Sequence, residues 1–316
     1  MPRLQSIPEG LATVASSHQV RSPVEIMRRY MESFPEEISC REEMSTFQFW
    51  KAVRTEFLAT LLLTVMGCGS CLGSKVPPSG EEMAYNRLVD IKVSLAFGFS
   101  VATLVQCVGQ ISGAHMNPAV SVAFLVVRHI TAARAVAYVL AQCLGATSGA
   151  IILYGLTPLD QREAAGLGAT ELADGVHVSQ AFGMEFMASF LVVLTVLANV
   201  DPHRTDMGFR ALSIGLSYVV GHFLAFRYTG ASINPARSLG PAVVTNSWRH
   251  HWVYWVGPVL GGVLGAITYD YTQDTSRTSQ HFKRSFRKRS TRDIIRDQSA
   301  LSNETEMTGT SNDFRI

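Results

Sequence analysis

Long apolar stretches alternate with short polar connections through most of this 316-residue chain. Six stretches are long enough to cross a bilayer, because about 20 helical residues at ~1.5 Å each cover a hydrocarbon core of ~30 Å. The pattern predicts an all-α membrane protein with six transmembrane helices. Their expected bounds are Phe49 to Leu72, Asp90 to Gly109, Ala133 to Leu156, Gln180 to Val200, Phe209 to Phe226 and Trp252 to Tyr271.

Two further apolar runs are only about half as long as a span. They extend from Pro118 to Val127 and from Pro235 to Val244. Each run follows an asparagine, which can cap a helix N-terminus, and begins with a proline, which suits the first helical position. We expect two re-entrant half-helices; ordinary Asn-Pro turns in loops are the alternative.

The same tripeptide, Asn-Pro-Ala, marks the start of both half-helices. Residues 95–121 align with residues 212–238 at an offset of 117 without a gap, and nine of the 27 positions are identical. The chain therefore consists of two copies of one membrane unit, at about 49–156 and 180–271. The repeated motif residues are Asn117, Pro118 and Ala119 in the first copy and Asn234, Pro235 and Ala236 in the second.

Each copy holds three spans, so the second copy enters the membrane upside down relative to the first. The half-helices then come from opposite faces and meet near the midplane, where inverted repeats place their shared site. Two helix N-termini disfavour cations there, since each carries unpaired N–H groups and about half a positive charge. The amides of Asn117 and Asn234 add donors, so a water wire through this point is interrupted and resists proton hopping. The same side chains can also cap their own helices, and the two roles are compatible.

Basic residues between the spans predict the orientation. Arg128 lies between the second and third spans and Arg134 at the start of the third; Arg204 lies between the fourth and fifth and Arg210 at the start of the fifth. The positive-inside rule places this side of the membrane, and with it both termini, in the cytoplasm. We expect a multi-pass protein of the plasma membrane.

Two polar tails flank the predicted channel domain at 49–271. Residues 1–48 form an N-terminal cytoplasmic tail, and residues 272–316 form a C-terminal cytoplasmic tail that we expect to be disordered. Six basic residues stand between positions 281 and 292. The simplest interpretation is a solvated topology signal. Phosphorylation that weakens attachment to an anionic leaflet is the alternative, at Ser285, Ser290 and Thr291.

The first span of each copy contains one acid at a matching position. These acids are Glu56 and Glu185. Ionisable groups inside the membrane are costly unless they are paired or face a polar path. The symmetry favours a structural role, in which each carboxylate accepts hydrogen bonds from the backbone of a re-entrant loop. A proton relay is the alternative.

His222 and Arg237 break the repeat, because their partners at the offset of 117 are Val105 and Val120. The inversion places the polar pair near the extracellular mouth and the valines near the cytoplasmic one. Phe97 can supply the opposing wall. We therefore expect a cationic filter at one end of the pore only. A satisfied core histidine and a snorkelling arginine are the alternative.

The five cysteines all fall in predicted spans or on the cytoplasmic side, and we expect no structural disulfide. Cys68 and Cys71 form a C-x-x-C pair on an apolar span without a partner pair, which favours packing over metal binding. We expect neither a metal nor a cofactor, and no nucleic-acid partner.

Three segments together resemble the aquaporins of the major intrinsic protein family, and their water-selective branch in particular. They are 112–120 (SGAHMNPAV), 228–238 (YTGASINPARS) and 251–258 (HWVYWVGP), and the resemblance runs from about Phe49 to Tyr271. It implies a homotetramer with one pore per subunit. It also implies an aromatic/arginine filter and a histidine at the cytoplasmic pore mouth. These residues are Phe97, His222, Ala231 and Arg237 for the filter and His115 for the mouth.

Two positions bear on what this resemblance implies about the solute. Glycerol channels of the family carry an aspartate just after the filter arginine, where this chain has Ser238. Ala231 stands where many members carry a cysteine that mercurials block, so we expect weak mercurial sensitivity.

The sequence thus predicts a passive water-selective channel in a lipid bilayer, driven by osmotic gradients, that excludes protons and ions and has no enzymatic step. Three alternatives stay open. One is a broader pore for glycerol, urea or peroxide. Another is a membrane adhesion or scaffold protein with little flux. The last is a secondary transporter, which would need a substrate-binding charge at the midplane where only neutral asparagines are found.

Overall fold

The computed structural model describes residues 40–72, 82–201 and 208–272. Every described residue lies in one compact unit. Within these ranges the chain is helical and contains no β-strand. The N-terminal residues 1–39, the basic segment 281–292 and the predicted phosphorylation sites Ser285, Ser290 and Thr291 lie outside the described residues.

Six long helices and two short ones build the membrane domain, as the apolar pattern predicts. The helices are α1 (Cys40–Met44), α2 (Phe47–Gly69), α3 (Glu82–Ser112), α4 (Pro118–Val126), α5 (Ala132–Leu156), α6 (Leu159–Ala165), α7 (Val178–Val200), α8 (Arg210–Thr229), α9 (Pro235–Thr245) and α10 (253–272). A 3₁₀ turn at Gly166–Gly168 follows α6. The six spans are α2, α3, α5, α7, α8 and α10, and the half-helices are α4 and α9, so the predicted fold class is confirmed.

Four of the spans are apolar enough to identify by composition alone among the described residues: Phe47–Gly69, Arg87–Ser112, Ala132–Leu156 and Val178–Val200. The 20-residue helix α8 is less apolar because it carries Tyr218 and His222 on its buried face and Arg227 in its last turn. Hydropathy is therefore a weaker guide for a helix that contributes polar groups to the interior.

Apolar side chains cover the outside of the spans, and polar ones lie inside. On α5, Leu140 and Leu144 are 60% and 63% exposed, and Ile151 is 58% exposed. Gln142, on the opposite face of the same helix, is fully buried. This arrangement is typical of a protein whose surface faces lipid, since an apolar solvent removes the penalty for exposed apolar side chains.

Helical structure extends beyond several of the predicted bounds. The second span begins at Glu82, eight residues before the predicted start at Asp90. Its first turns are polar, so the apolar pattern does not include them. α1 and the start of α2 lie in the stretch assigned to the tail, and Thr46 caps α2 by accepting from the Phe49 N–H at 3.1 Å. The connection 157–179 between the two repeats contains α6 and the 3₁₀ turn.

The two repeats meet where α3 crosses α8. Gly98 and Gly215, which correspond at the offset of 117, lie against each other at the crossing. A Cβ added to Gly98 would lie 2.7 Å from the Gly215 carbonyl oxygen, and one added to Gly215 would clash with the Gly98 carbonyl. The absence of side chains here brings two backbones into contact.

Further glycines bring helices of the same repeat together within the subunit. A Cβ on Gly149 of α5 would lie 2.5 Å from the Leu61 carbonyl oxygen of α2. In the second repeat, a Cβ on Gly265 of α10 would lie 2.6 Å from the Phe190 carbonyl oxygen of α7. The same helix pair is therefore closed in each repeat by glycine.

Candidate functional site

The two Asn-Pro-Ala motifs lie together, because each half-helix begins at the same point. Asn117 caps α4 by accepting from the Ala119 N–H at 2.9 Å, and Pro118 follows at the first helical position. Asn234 caps α9 in the same way, accepting from the Ala236 N–H at 3.0 Å, and Pro235 follows. Both N-termini thus keep their remaining N–H groups directed towards one spot.

Each capping asparagine also forms a hydrogen bond with the loop of the other repeat. The Asn117 amide donates to the Ile233 carbonyl oxygen at 2.9 Å, and the Asn234 amide donates to the Met116 carbonyl oxygen at 2.7 Å. Each asparagine therefore holds the loop that precedes the other half-helix. This arrangement fixes the separation of the two helix N-termini.

The loop before each half-helix has a strained backbone that repeats at the offset of 117. Ala114 and Met116 have φ values of 49° and 50°, and their counterparts Ala231 and Ile233 have φ values of 48° and 56°. Residues with a Cβ rarely occupy this left-handed region, and each costs on the order of 1 kcal/mol or more. The loops therefore need strong external contacts.

Glu56 supplies those contacts in the first repeat. Its carboxylate is fully buried and accepts from the His115 N–H at 2.9 Å, the Met116 N–H at 2.7 Å and the Ser112 hydroxyl at 2.6 Å. The Gln142 amide donates to it at 2.8 Å.

Glu185 does the same in the second repeat. Its buried carboxylate accepts from the Ser232 N–H at 2.8 Å, the Ile233 N–H at 2.7 Å and the Thr229 hydroxyl at 2.6 Å. Each of these donors corresponds to one on Glu56 at the offset of 117. The two buried acids are thus equivalent clamps on equivalent loops, with every carboxylate oxygen bonded to a protein donor.

Phe97, His222 and Arg237 come together at one end of the predicted pore. We call this end the Arg237 end. The Phe97 and His222 rings are stacked, with centroids 4.4 Å apart and an interplanar angle of 23°. The Arg237 guanidinium carbon lies 4.8 Å from the centroid of the Phe97 ring. Gly67 makes room for this ring, since a Cβ there would overlap it.

Hydrogen bonds orient the two polar members of the cluster. The His222 Nδ1 lies 2.8 Å from the Tyr218 carbonyl oxygen, which can only accept, so Nδ1 carries the proton. Arg237 Nη1 donates to the Gly168 carbonyl oxygen at 2.6 Å. His222 Nε2 and Arg237 Nε are buried without a protein partner in the described part of the chain. They leave an acceptor and a donor for a polar molecule at this position.

Ala231 and Ser238 complete this end. Ala231 is fully buried and leaves its position in the loop without a thiol. The Ser238 hydroxyl donates to the Ser232 hydroxyl at 2.6 Å and accepts from the Thr170 hydroxyl at 2.9 Å. A chain of hydroxyl groups therefore occupies the position after Arg237, where an acid would be a buried charge.

A cavity of about 380 Å³ lies at the opposite end, which we call the His115 end. Val105 and Val120, the repeat partners of His222 and Arg237, line it together with His115. His115 is 5% exposed, and its Nδ1 lies 3.1 Å from the Ser121 hydroxyl. The two ends of the path thus differ in chemistry although their backbones correspond. No group of three side chains able to bind a metal ion occurs in the described ranges.

The profile of the major intrinsic protein family matches residues 43–269. The chain belongs to this family. Members of the family are membrane channels and not enzymes, so the predicted family and the absence of an enzymatic step are confirmed.

Relatives in the family carry the aquaporin name. Aquaporin-1 of Homo sapiens is 48% identical over 224 residues, which cover 71% of this chain and 82% of that protein. Aquaporin-4 of Mus musculus is 46% identical over 229 residues, which cover 72% of this chain and 68% of that protein. Among solved structures, the aquaglyceroporin from Plasmodium falciparum has a TM-score of 0.60 at 23% identity, covering 70% of this chain and 96% of that one. This last likeness concerns the fold alone.

Three further residues of this aquaporin-family site are found only in the structure. Tyr218 lines the cavity and contacts Asn117. Its repeat partner is Val101, so Tyr218 breaks the repeat in the same way as His222 and could have been identified by that difference. Gln142 bonds Glu56, but a glutamine on an apolar span carries no indication of its partner. Gly168 binds Arg237 through its carbonyl oxygen from a connection that the first repeat lacks.

Proposed function

We propose that this chain is a water-selective channel of the plasma membrane, driven by osmotic gradients, which excludes protons and cations. The observation that carries the proposal is the constriction at the Arg237 end. Two aromatic rings in contact leave little cross-section, and His222 Nε2 and Arg237 Nε are buried there without a partner among the described residues. A water molecule fits this donor and acceptor pair, while the carbon backbone of glycerol needs a wider opening.

Cation exclusion follows from the charges along the path. Arg237 is 2% exposed and places its positive charge beside the Phe97 ring. Two helix N-termini add about half a positive charge each further along. A hydrated or dehydrated cation therefore meets repulsion at two successive positions.

Proton exclusion follows from the interrupted hydrogen-bond chain. The positive ends of both half-helices, together with the free N–H of the Asn234 amide, orient a passing water so that it accepts through its oxygen and turns its hydrogens away from both N-termini. The buried acids Glu56 and Glu185 have all their oxygens engaged with loop donors, which supports a structural role for them over a proton relay.

The remaining assignments of this proposal concern the assembly. We infer that the Arg237 end is extracellular, that both termini and His115 are cytoplasmic, and that the channel domain is 49–271. The homotetramer is typical of the family, and each subunit then carries its own pore. Relatives named aquaporin-1 and aquaporin-4 support water as the solute.

The experiment that tests exclusion uses purified full-length protein in lipid vesicles. Osmotic water permeability is expected to rise with protein content, while the proton leak, followed with a trapped pH dye, stays at the level of empty vesicles. Vesicles with gramicidin, which conducts both, serve as the positive control for the dye. A proton conductance that scales with the water permeability would contradict the proposal.

A further inference from the structure

Tyr218 introduces a bulky polar group into the path at a position where the other repeat has Val101. It lies on α8, one turn before His222, and so on the same face of that helix. Its side chain is 5% exposed and lines the cavity at the His115 end. The ring therefore stands between that cavity and the Asn-Pro-Ala motifs.

The Tyr218 hydroxyl occupies the Asn117 amide. The hydroxyl oxygen accepts from Asn117 Nδ2 at 3.1 Å, and the same nitrogen donates to the Ile233 carbonyl oxygen at 2.9 Å. A carboxamide has two N–H hydrogens. Both hydrogens of Asn117 are thus taken by protein acceptors, and none is left for a passing water.

Asn234 differs in this respect. Within the described residues its amide donates only to the Met116 carbonyl oxygen, at 2.7 Å, so its second hydrogen is available to a water in the path. The two motifs are related by the repeat, yet only one of them offers a free donor. The difference is due to Tyr218, because Val101 places no polar group near Asn234.

We propose that Tyr218 forms a second constriction at the centre of the pore, which limits the water permeability of each channel. This inference rests on the proposed function. A water molecule that reaches Asn117 must displace the Tyr218 hydroxyl from the amide or pass beside the tyrosine ring. In the second case the donor that the water meets is the Tyr218 O–H. Each passage then involves breaking or bypassing one buried hydrogen bond. The filter at the Arg237 end selects the solute, and Tyr218 sets the rate.

The test compares Tyr218→Val, which restores the residue of the other repeat, with Tyr218→Phe, which removes only the hydroxyl. Water permeability per channel in vesicles is expected to rise about three- to tenfold in Tyr218→Val, the factor that corresponds to one hydrogen bond of ordinary net strength. Tyr218→Phe is expected to give a smaller rise, because the ring remains while the Asn117 amide is freed. The activation energy of water flux should fall in the same order, which a purely structural role of the tyrosine would not produce.

Two controls accompany these variants. Tyr154→Phe removes a hydroxyl from a tyrosine that is 46% exposed on α5, and is expected to leave the permeability unchanged. Glycerol uptake is measured in every sample. It is expected to stay at the level of empty vesicles in both Tyr218 variants, since Phe97, His222 and Arg237 are intact.

The outcomes separate this inference from the proposed function. Equal permeability per channel in the unmodified protein and both Tyr218 variants overturns the inference and leaves the water channel standing. Water flux in the Tyr218 variants, with none in the unmodified protein, supports the inference and contradicts the proposal that the unmodified pore is open. No flux in any folded protein overturns both. Glycerol entry through Tyr218→Val supports the constriction and contradicts the filter at the Arg237 end. If the valine variant does not fold, a permeability of Tyr218→Phe equal to that of the unmodified protein overturns the inference.

Discussion

Replacing Glu185 with alanine is expected to destabilise the folded channel by about 3–5 kcal/mol, the range for breaking a buried charged network. The change leaves the Thr229 hydroxyl and the N–H groups of Ser232 and Ile233 buried without their acceptor. It also releases a loop whose left-handed residues need this contact. A melting curve of the purified protein in detergent should shift down on the order of 10 °C or more.

Glu171→Ala is the matched control for this loss. Glu171 is an exposed acid of the connection 157–179 that accepts a hydrogen bond from the Ser247 hydroxyl at 2.5 Å. Its replacement is expected to change stability by less than about 0.5 kcal/mol. Glu185→Gln retains one acceptor oxygen and should lie between the two variants in stability while still conducting water. A Glu185→Ala protein as stable as the Glu171→Ala control would show that the carboxylate does not hold the loop.

The double variant Phe97→Ala with His222→Ala is expected to admit glycerol and urea, which the unmodified channel excludes. The two rings are in contact at the Arg237 end, and removing both opens the space that they fill. Uptake is measured by swelling of vesicles in isotonic glycerol or urea. Adding Tyr218→Val should increase this uptake further, because the second constriction is then also relieved.

Phe99→Ala with Phe223→Ala is the control for this variant. Both phenylalanines lie on the same two helices as the filter residues, but they are 51% and 53% exposed on the outer face. This control pair should remain closed to glycerol. If the double filter variant reaches the vesicles and still takes up only water, while the triple variant admits glycerol, the size limit lies at Tyr218 and not at Phe97 and His222.

Arg237→Val tests the charge of the same constriction. Valine is the residue that the other repeat carries, at Val120, so the backbone at this position accommodates it. The variant is expected to leak cations and protons above the level of the unmodified channel, since only the weaker fields of the helix termini remain. An unchanged leak would place cation exclusion at the Asn-Pro-Ala motifs alone.

Much of the architecture follows from the repeat and from apolar run length. The half-helices were predicted at 118–127 and 235–244 and are found at Pro118–Val126 and Pro235–Thr245. Capping by Asn and the fixed φ of Pro determine where such a helix starts, so its first residue is readable locally. The inverted arrangement follows from an odd number of spans per copy. These features follow from sequence patterns alone and require no knowledge of tertiary contacts.

The partners of Arg237 and Glu56 could not be predicted in the same way. Gly168 binds Arg237 through a backbone carbonyl, and a carbonyl is present at every position, so the sequence contains no mark of this contact. Gln142 reaches Glu56 only because α5 is rotated to face α2, and that rotation depends on Gly145 and Gly149 packing against α2. Such partners emerge from helix packing, not from local pattern.

Tyr218 is a different case, because the information was present. The comparison of repeats that singled out His222 and Arg237 also pairs Tyr218 with Val101. A tyrosine on an apolar span resembles an ordinary core residue until its hydroxyl is placed beside Asn117. Positions that break an internal repeat are therefore candidates for function even when the residue type is unremarkable for a membrane helix.

The central claim is selectivity for water, and parallel permeability measurements on the unmodified chain test it most directly. Vesicles that contain the full-length protein are mixed rapidly with an impermeant osmolyte in one experiment and with glycerol in another, and light scattering follows their volume. The expected result is water efflux faster than in empty vesicles, increasing with protein content, while the rate of glycerol entry equals that of empty vesicles. Glycerol entry that rises with protein content in step with water permeability would contradict the account.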